Sequence, residues 1–477
     1  MLNFTSKYIY SIKWSSFGHI FYLLVKLLVF FYISKEFPTD EIASLGICIS
    51  LISLFNLPVQ AGAQMEIISG FKSNNQIHNG VFTLLVLYSV APLLLLLGFS
   101  SSVADFFNIK SSYYVQITAI LVILKLQEIV PRSLLDFQLN FKINGQVLAG
   151  AALVFIFSVL VLRNSYNNIL LILYSEIASS LFVIIASYTT LHIYPKFQHN
   201  SKLILNKNGF VFNSAISNTI GYANNQFIVL LLAKFFPHAA VGQFYLGKRF
   251  SDFFVNAIDG TIHRSIFPLF SNIKGDSAKF NRALMTFTYF RALLLTPPVL
   301  MIVLFSSEIV HFFYEDKYDY LDQIISLVFL VPLFRFMLPP SIKILQIHKA
   351  HAYINLIYFI QLVLTISAAL MVINLKSSML PLVEYIVTLQ VFIFFILAFF
   401  SIKKTQIPIL FFLSRMKRIY IGIGFITLYS HIAQDILSIS TNEGIVKIII
   451  NLAPFLLLYI FTLSDIRKVL YTLFYKR

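Results

Sequence analysis

"YISKEFPTDEI" (residues 32–42) and "LAKFFPHAAV" (residues 232–241) each follow a long apolar segment and share one sequence pattern. In both, a Lys is followed by a Phe-Pro pair and then by an aliphatic residue, and every matched position is shifted by 199 residues. The matched residues are Lys35, Phe37, Pro38 and Ile42 in the first stretch, and Lys234, Phe236, Pro237 and Val241 in the second. We call residues 32–42 the first hinge and residues 232–241 the second hinge. A short pattern that recurs at one spacing, and at the same place relative to an apolar segment, indicates an internal repeat.

The composition is that of a membrane protein. Hydrophobic residues make up 58% of the 477 residues, charged residues only 12%, and the mean hydropathy is +0.81. A soluble domain carries about 25% charged residues. The first apolar segment, which begins near Trp14, has the length of a span and no small-residue cleavage site, so we expect it to be retained. The single cysteine, Cys48, excludes an internal disulfide and a cysteine-based metal site.

Fourteen apolar segments are long enough, or nearly long enough, to cross a bilayer, which predicts an all-α polytopic membrane protein. They lie at about 14–33, 42–57, 81–98, 113–131, 147–162, 169–194, 210–236, 241–267, 285–306, 324–338, 354–375, 379–400, 419–437 and 445–463. With the amino terminus in the cytoplasm, 23 of the 36 Lys and Arg residues fall in inner loops and seven in outer loops. This asymmetry follows the positive-inside rule and predicts that both termini are cytoplasmic. It also explains most of the net charge of +16, so nucleic-acid binding is not expected.

The two hinges link predicted helix 1 to helix 2 and predicted helix 7 to helix 8, on the outer side. Because six is an even number, a second set of six helices re-enters the membrane with the orientation of the first, which is a parallel repeat. We therefore predict a six-helix bundle over residues 1–196, a second over 197–404, and extra helices 13 and 14 with a cytoplasmic tail over 405–477.

Polar side chains recur at helical spacing in the first two helices of each set, which predicts a polar cleft between the bundles. The candidate substrate-binding residues are His19, Lys26, Gln60, Gln64, Asn218, Tyr222, Asn225, Lys248, Arg249, Asn256 and Arg291. The candidates for coupling to an ion gradient are the acids Glu66, Glu176, Asp252 and Asp259. Glu176 and Arg291 stand out as lone charges in mid-helix, where an unpaired charge costs about 2.5–3.5 kcal/mol. No metal-binding or cofactor-binding motif is found, and no cofactor is predicted.

Several of these residues also have a purely structural interpretation. Lys26 is flanked by aliphatic residues and can extend its ammonium group to the membrane interface. Lys248 and Asp252 are four residues apart and can simply stabilise their helix. Lys125, Glu128 and Arg132 are interpreted as a structural cluster in which the charges pair with one another.

Four stretches resemble the Wzx-type flippases for O-antigen and other polysaccharides, which belong to the multidrug/oligosaccharidyl-lipid/polysaccharide exporter (MOP) superfamily. The stretches are "FPTDEIASLGICISLISLFNLPVQAG" (37–62), "RSLLDFQLNFKI" (132–143), "AAVGQFYLGKRFSDFFVNAIDGTIHRSIFPLFS" (239–271) and "LQIHKAHAYINLI" (345–357). The resemblance covers most of the chain. Its motifs are loose and hydrophobic, and they indicate the superfamily better than the substrate.

The resemblance implies a transporter rather than an enzyme, located in the bacterial inner membrane. Its substrate would be an undecaprenyl-diphosphate-linked oligosaccharide, which the protein would move from the cytoplasmic to the periplasmic leaflet by alternating access, coupled to an ion gradient. Lys26, Lys248 and Arg249 would then neutralise the diphosphate. Membrane lipids are expected as neighbours, and the resemblance adds a polysaccharide polymerase and a chain-length regulator as partners.

Three other functions stay open at this point. A multidrug/cation antiporter of the same superfamily would require an acidic, aromatic cavity and would usually have twelve helices. A flippase for a lipid-linked peptidoglycan precursor would be essential for growth. A membrane glycosyltransferase or polymerase would need a sizeable polar loop with paired acids, and only residues 314–322 come near to that.

Overall fold

A computed structural model of the chain describes residues 2–70, 77–138, 141–198, 209–273, 276–315, 317–348, 350–374 and 378–440. Every regular element within these ranges is an α-helix. That is the expected result for apolar segments in lipid, where each backbone N–H and C=O must find its partner inside the segment. Predicted helix 14, at 445–463, lies outside the described residues.

Sixteen of the seventeen helices in the described ranges form two series in the same order. The first series is α1 (Leu2–Glu36), α2 (Thr39–Gly70), α3 (Ile77–Gly98), α4 (Ser100–Phe106), α5 (Ser112–Gln127), α6 (Ile129–Phe137), α7 (Phe141–Leu162) and α8 (Leu170–Leu191). The second is α9 (Gly209–Phe235), α10 (His238–Ile273), α11 (Ser277–Leu304), α12 (Ser306–Tyr314), α13 (Leu321–Met337), α14 (Ser341–Ile347), α15 (His351–Asn374) and α16 (Met379–Thr405). The last described helix is α17 (Ile409–Ser440).

The two series share their irregularities as well as their order. In each, a short helix follows the third long helix, and the next segment is broken into a longer and a shorter helix. The second of these breaks bends the chain by 46° between α13 and α14. Its cause is the Pro339-Pro340 pair, because a residue before proline avoids the α region and Leu338 accordingly has an extended backbone, with φ −100° and ψ 158°.

The two hinges fold in the same way. Each Pro begins a new helix, where its missing N–H is not needed, and each preceding Phe still caps the end of the helix before it. The matched backbone hydrogen bonds are Phe37 N–H to Ile33 O (2.8 Å) and Phe236 N–H to Leu232 O (2.9 Å), then Ile42 N–H to Pro38 O (3.2 Å) and Val241 N–H to Pro237 O (3.1 Å). The pattern quoted at the outset is therefore one local structure used twice.

Helices α2 and α10 approach each other very closely just after the hinges. A Cβ atom placed on Gly46 would lie 2.6 Å from the ring of Tyr245, and one on Gly242 would lie 2.3 Å from Thr39 O and 3.4 Å from Ala43 N. Gly46 and Tyr245 are 199 residues apart, and so are Ala43 and Gly242. Residues that the repeat relates to each other therefore meet at this crossing.

The described residues separate into two compact units. The first comprises those of Met1–Ser265 and His351–Met379, and the second those of Ile266–Ala350 and Leu380–Arg477. Within the first unit α1 packs on α7 and α9 on α15, which are matching pairs in the two series. Within the second unit α11 packs on α13, as α3 packs on α5 in the first. The six-helix bundles with boundaries at 196 and 404 stay a prediction.

Nine helices in the described part of the chain are long and apolar enough to cross a membrane, or ten if the bent pair α13 and α14 counts as one span. Helices α9, α10 and α17 also lie at predicted spans, although they are not among the nine. Large apolar side chains on several spans are exposed, for example Phe157 at 68% and Met371 at 67%, as expected for a surface that lipid covers. The chain is thus an all-helical multi-pass membrane protein. The total of fourteen spans and the side of each terminus stay predictions.

Candidate functional site

A cavity of about 500 Å³ opens inside the first unit. Its described lining comes from α1, α2, α5, α6 and α8, together with Arg249 of α10. The polar side chains in the wall are Tyr22, Lys26, Ser53, Asn56, Gln60, Gln64, Lys125, Glu128, Arg132, Ser133, Asp136, Glu176 and Arg249. Such a concentration of polar groups at the depth of apolar spans marks a candidate functional site.

Charged groups of alternating sign run along one wall of this cavity. The ammonium Nζ of Lys26 lies 2.5 Å from Glu176 Oε1, and Glu176 Oε2 lies 3.6 Å from Lys125 Nζ. Lys125 in turn donates to Glu128 Oε1 at 2.7 Å, and Glu128 Oε2 lies 3.9 Å from Arg132. The side chains of Lys26 and Glu176 keep 13% and 14% of their surface exposed, so both can be reached from the cavity.

The Lys26 ammonium is also enclosed by aromatic rings. It lies 4.5 Å from the centre of the Tyr22 ring and 5.2 Å from that of Phe155. Both rings are close enough to stabilise the cation through their π-electrons. Two interpretations are thereby corrected: Lys26 pairs inside the protein instead of extending to the interface, and Glu176 is not a lone charge, because α1 and α5 each bring it a lysine.

A row of carboxamides on α2 forms another part of the wall. Asn56, Gln60 and Gln64 are four residues apart, and this spacing places them on one face of the helix, where all three line the cavity. No described residue donates a hydrogen bond to Asn56 Oδ1, although this atom is buried. The wall therefore presents amide groups that can donate to, and accept from, a polar ligand.

The two neighbouring cations of α10 are separated by the geometry of the helix. Adjacent residues point about 100° apart around an α-helix. Arg249 accordingly lines the cavity, where its charge interacts with that of Glu176. Lys248 does not line it and instead donates to Asp252 Oδ2 at 2.6 Å, one helical turn away. The structure thus favours the helix-stabilising interpretation for Lys248 and Asp252.

Arg291 lies in the second unit and has a different environment. Its side chain is 1% exposed, and its guanidinium donates to two backbone carbonyls at the end of α13, those of Arg335 and Leu338, the latter at 2.7 Å. A helix end leaves its last carbonyls without intrahelical partners, and a cation is favourable there. Arg291 is therefore a cap for the broken helix, and its prediction as a substrate-binding residue has no support in this placement.

The remaining predicted residues are not brought into the cavity or cannot be placed. His19, Asn225 and Asn256 do not line it, and Asn225 and Asn256 are exposed. The side chains of Glu66, Asn218, Tyr222 and Asp259 lie outside the described residues.

Sequence reasoning missed the contribution of α5 and α6 to the cavity. Lys125, Glu128 and Arg132 were interpreted as a structural cluster, and the cluster does exist, but it also faces the cavity. The signal that points to this wall is the continuation of the same spacing to Asp136. Residues 125, 128, 132 and 136 fall at i, i+3, i+7 and i+11, which is one helix face.

A second cavity, also of about 500 Å³, lies where the two hinges meet. Pro38 and Glu41 from the first hinge, and Pro237 and His238 from the second, are part of its lining. His238 Nε2 lies 2.8 Å from Phe107 O, which fastens the second hinge to the segment after α4. Among the described residues, no group of three His, Cys, Asp or Glu side chains is arranged to hold a metal ion in either cavity or elsewhere.

Comparison with known proteins gives a family match and several similar folds. The family model described as "Polysaccharide biosynthesis protein" matches residues 40–321. No curated protein sequence matches the chain. A structure of the lipid II flippase MurJ in an inward closed conformation has a TM-score of 0.62 at 15% sequence identity, and the match covers 98% of this chain and 100% of that one.

Two transporters of the MOP superfamily are similar over less of the chain. An inward-facing multidrug resistance transporter of the MATE family has a TM-score of 0.55 at 11% identity, covering 83% of this chain and 94% of that one. A transporter from Pyrococcus furiosus, whose binding pocket is described as reversed in polarity, has a TM-score of 0.54 at 12% identity, covering 83% and 95%. The fold is that of MOP superfamily transporters, as the sequence resemblance predicts.

Proposed function

Because this chain belongs to the polysaccharide biosynthesis protein family, we propose that it is a flippase for an undecaprenyl-diphosphate-linked oligosaccharide. The substrate would be a repeat unit of O-antigen or of another surface polysaccharide, moved from the cytoplasmic to the periplasmic leaflet of a bacterial inner membrane. The family and the transporter fold support the class of function. The substrate is the one that the resemblance to Wzx-type flippases implies, and the chemistry of the cavity supports it.

One observation carries this proposal: the cavity is a polar site with a surplus of fixed cations. Among the described residues that line it, four are cationic (Lys26, Lys125, Arg132 and Arg249) and three are acidic (Glu128, Asp136 and Glu176). A diphosphate cannot enter hydrocarbon without its charge being compensated. Ammonium and guanidinium groups bind phosphate oxygens through short, charge-assisted hydrogen bonds.

The row of amides on α2 suits the sugar part of such a substrate. Sugar hydroxyls must exchange their hydrogen bonds with water for hydrogen bonds with protein, and carboxamides offer both donors and acceptors. Asn56 already has a buried acceptor that no described residue satisfies. The polyprenyl tail needs no polar site, since it can remain in the lipid.

We propose alternating access as the mechanism, with the two hinges as points where the helices reorient. The hinges are suited to this role because each is a short break between two long helices with the same backbone hydrogen bonds. Coupling to an ion gradient would involve acids of the transport path, and among the predicted coupling acids whose side chains are described, Glu176 lines the cavity.

A flippase for a lipid-linked peptidoglycan precursor is the second candidate. It is favoured by the similarity to the lipid II flippase, which covers 98% of this chain. Such a substrate also carries a diphosphate, so the same cations would bind it. A multidrug/cation antiporter fits less well, because the surplus of cations in the cavity would repel a cationic drug.

Deletion of the gene, followed by chemical analysis of the cell surface and of the lipid fraction, tests the proposal. We expect the deletion strain to lose a surface polysaccharide, to accumulate its lipid-linked repeat unit, and to regain the polymer when the gene is returned. Arrest of growth with accumulation of a peptidoglycan precursor would favour the second candidate. Unchanged surface polysaccharide and unchanged lipid intermediates would refute the proposal.

A further inference from the structure

Two carboxylates in the first unit, those of Glu41 and Glu176, are held in very different ways. Glu41 accepts bonds from three groups, each at 3.3 Å: the Lys110 ammonium, the Tyr114 hydroxyl and the backbone N–H of Ile169. Ile169 immediately precedes α8, so Glu41 also caps the start of that helix. A buried carboxylate needs several donors to replace the water it has lost, and Glu41 has them. Glu41 is fastened in place.

Glu176 has a much weaker set of partners. Its Oε1 accepts one hydrogen bond, from Lys26. Its Oε2 is buried and accepts none from any described residue, and its ion pair with Lys125 is long, at 3.6 Å. Glu176 nevertheless faces the cavity and is reachable from it. This carboxylate is therefore held mainly by charge and can be replaced by another anion.

The cations around Glu176 are in contrast well supported without it. Lys26 keeps the two aromatic rings of Tyr22 and Phe155 at 4.5 and 5.2 Å. Lys125 keeps its 2.7 Å hydrogen bond to Glu128. Departure of the Glu176 side chain would thus leave two ammonium groups in position, both facing the space where the carboxylate had been.

We propose that Glu176 acts as an internal substitute for the diphosphate of the substrate. In the empty carrier the carboxylate compensates Lys26 and Lys125, and an arriving diphosphate displaces it and takes over both ammonium groups. The diphosphate and the Glu176 carboxylate compete for the same two ammonium groups, and like charges repel each other when they are brought this close. The inference rests on the proposed function and deepens it, since it states how the cations are compensated before and after binding.

This exchange serves both halves of a transport cycle. Buried cations without partners are costly, so an empty carrier needs a counter-charge of its own in order to reorient. The same carboxylate competes with bound diphosphate and so promotes release of the substrate. Glu176 thereby sets the apparent affinity, because the binding-competent state is the fraction of molecules in which the carboxylate has left the lysines.

The test is a binding measurement with farnesyl diphosphate, a short polyprenyl diphosphate, on the purified full-length protein. We expect Glu176→Gln to tighten binding at least about tenfold, because the internal competitor is gone. Farnesol, which lacks the anion, controls for partition of the apolar tail. If Glu176 were only structural and the diphosphate bound elsewhere, its loss would weaken binding or leave it unchanged, so a gain in affinity supports competition for these two lysines.

Glu41→Gln is the matched control, since Glu41 is a buried carboxylate with a lysine partner that does not line the cavity. It should leave the dissociation constant for farnesyl diphosphate unchanged. Should Glu176→Gln fail to fold, Glu176→Asp provides the test: its shorter side chain draws the carboxylate away from Lys26, and we expect a smaller gain in affinity. Equal or weaker binding by the folded variant overturns the exchange.

Failure of the exchange and failure of the proposed function give different results. If the function holds and the exchange does not, the wild-type protein restores the surface polysaccharide and binds farnesyl diphosphate, but no Glu176 variant binds it more tightly. If the protein carries a different lipid diphosphate, it restores no polysaccharide but still binds farnesyl diphosphate, and the Glu176 variants then test the exchange alone. If it carries no diphosphate, the wild-type protein binds farnesyl diphosphate no better than farnesol, and the exchange falls with the proposed function.

Discussion

At the scale of the residue, Arg249 is the cation that α10 contributes to the cavity. A hydrogen bond to a charged group contributes about 1.5–3 kcal/mol, so we expect Arg249→Ala to weaken binding of a lipid diphosphate about tenfold to hundredfold. Arg249→Lys keeps the charge but loses the planar fork of donors and should lie in between. The measurement is farnesyl diphosphate binding, together with surface polysaccharide in the complemented deletion strain.

Arg163→Ala is the matched control for Arg249, because Arg163 is an exposed arginine in the short segment between α7 and α8. It should bind and export like the wild type. Equal affinities for Arg249→Ala and Arg163→Ala would show that the guanidinium of Arg249 does not contact the diphosphate.

Arg291 gives a prediction about stability instead of binding. Arg291→Met keeps much of the side-chain volume but leaves two buried carbonyls without donors, at a cost of about 1–3 kcal/mol for each group left unsatisfied. We expect a lower melting temperature in detergent and less protein in the membrane. Export per molecule of protein should stay near that of the wild type, whereas a substrate-binding role would require it to fall.

The limits of sequence reasoning are clear for individual residues. The spacing of Lys26, Gln60 and Gln64 was enough to predict that they face a polar space. The pairing of Lys26 with Glu176 was not predictable, because the two are 150 residues apart in the chain and no local pattern connects them. The role of Arg291 was not predictable for the same reason, since Arg291 lies in α11 and the helix end that it caps belongs to α13.

At the scale of the element, the crossing of α2 and α10 depends on Gly242. A Cβ at this position would lie 2.3 Å from a backbone oxygen, so the helices would have to move apart. We expect Gly242→Ala to destabilise the protein by about 1–3 kcal/mol, as overpacking usually does. The melting temperature of the purified protein measures this.

Gly98→Ala is the control for Gly242, since an added Cβ at Gly98 in α3 meets no atom within 4 Å. This change should leave the melting temperature the same or raise it slightly, because alanine favours the helix. Equal melting temperatures for the two alanine variants would mean that the close crossing does not contribute to stability.

Helices were largely predictable because the signals that define them are local. The Phe-Pro pairs located both hinges, since proline acts on its own backbone and on the residue before it. The break between α5 and α6 was not predicted, although its cause is also local. Pro131 has no N–H for the carbonyl of Gln127, four residues earlier, and Gln127 is the last residue of α5.

At the scale of the whole molecule, the distribution of charge predicts which loops face the cytoplasm. Residue 163 should lie outside and residue 138 inside. Cys48 is the single cysteine of the chain and is fully buried, so the wild-type protein should not react with a thiol reagent. An impermeant maleimide should label Arg163→Cys in intact spheroplasts and Gln138→Cys only after permeabilisation. The reverse pattern would contradict the predicted orientation.

The contact between Gly46 and Tyr245 has a consequence for how such a molecule can arise. Two separate copies of one half, paired about the same axis, would bring identical side chains face to face, so a tyrosine would collide with a tyrosine. Joining the halves in one polypeptide removes this restriction. One side can then supply the bulk and the other the empty space, as Tyr245 and Gly46 do. Because the two halves are joined, a large side chain on one helix can fill the space left by a glycine on the other, which two identical copies cannot do where equivalent residues meet.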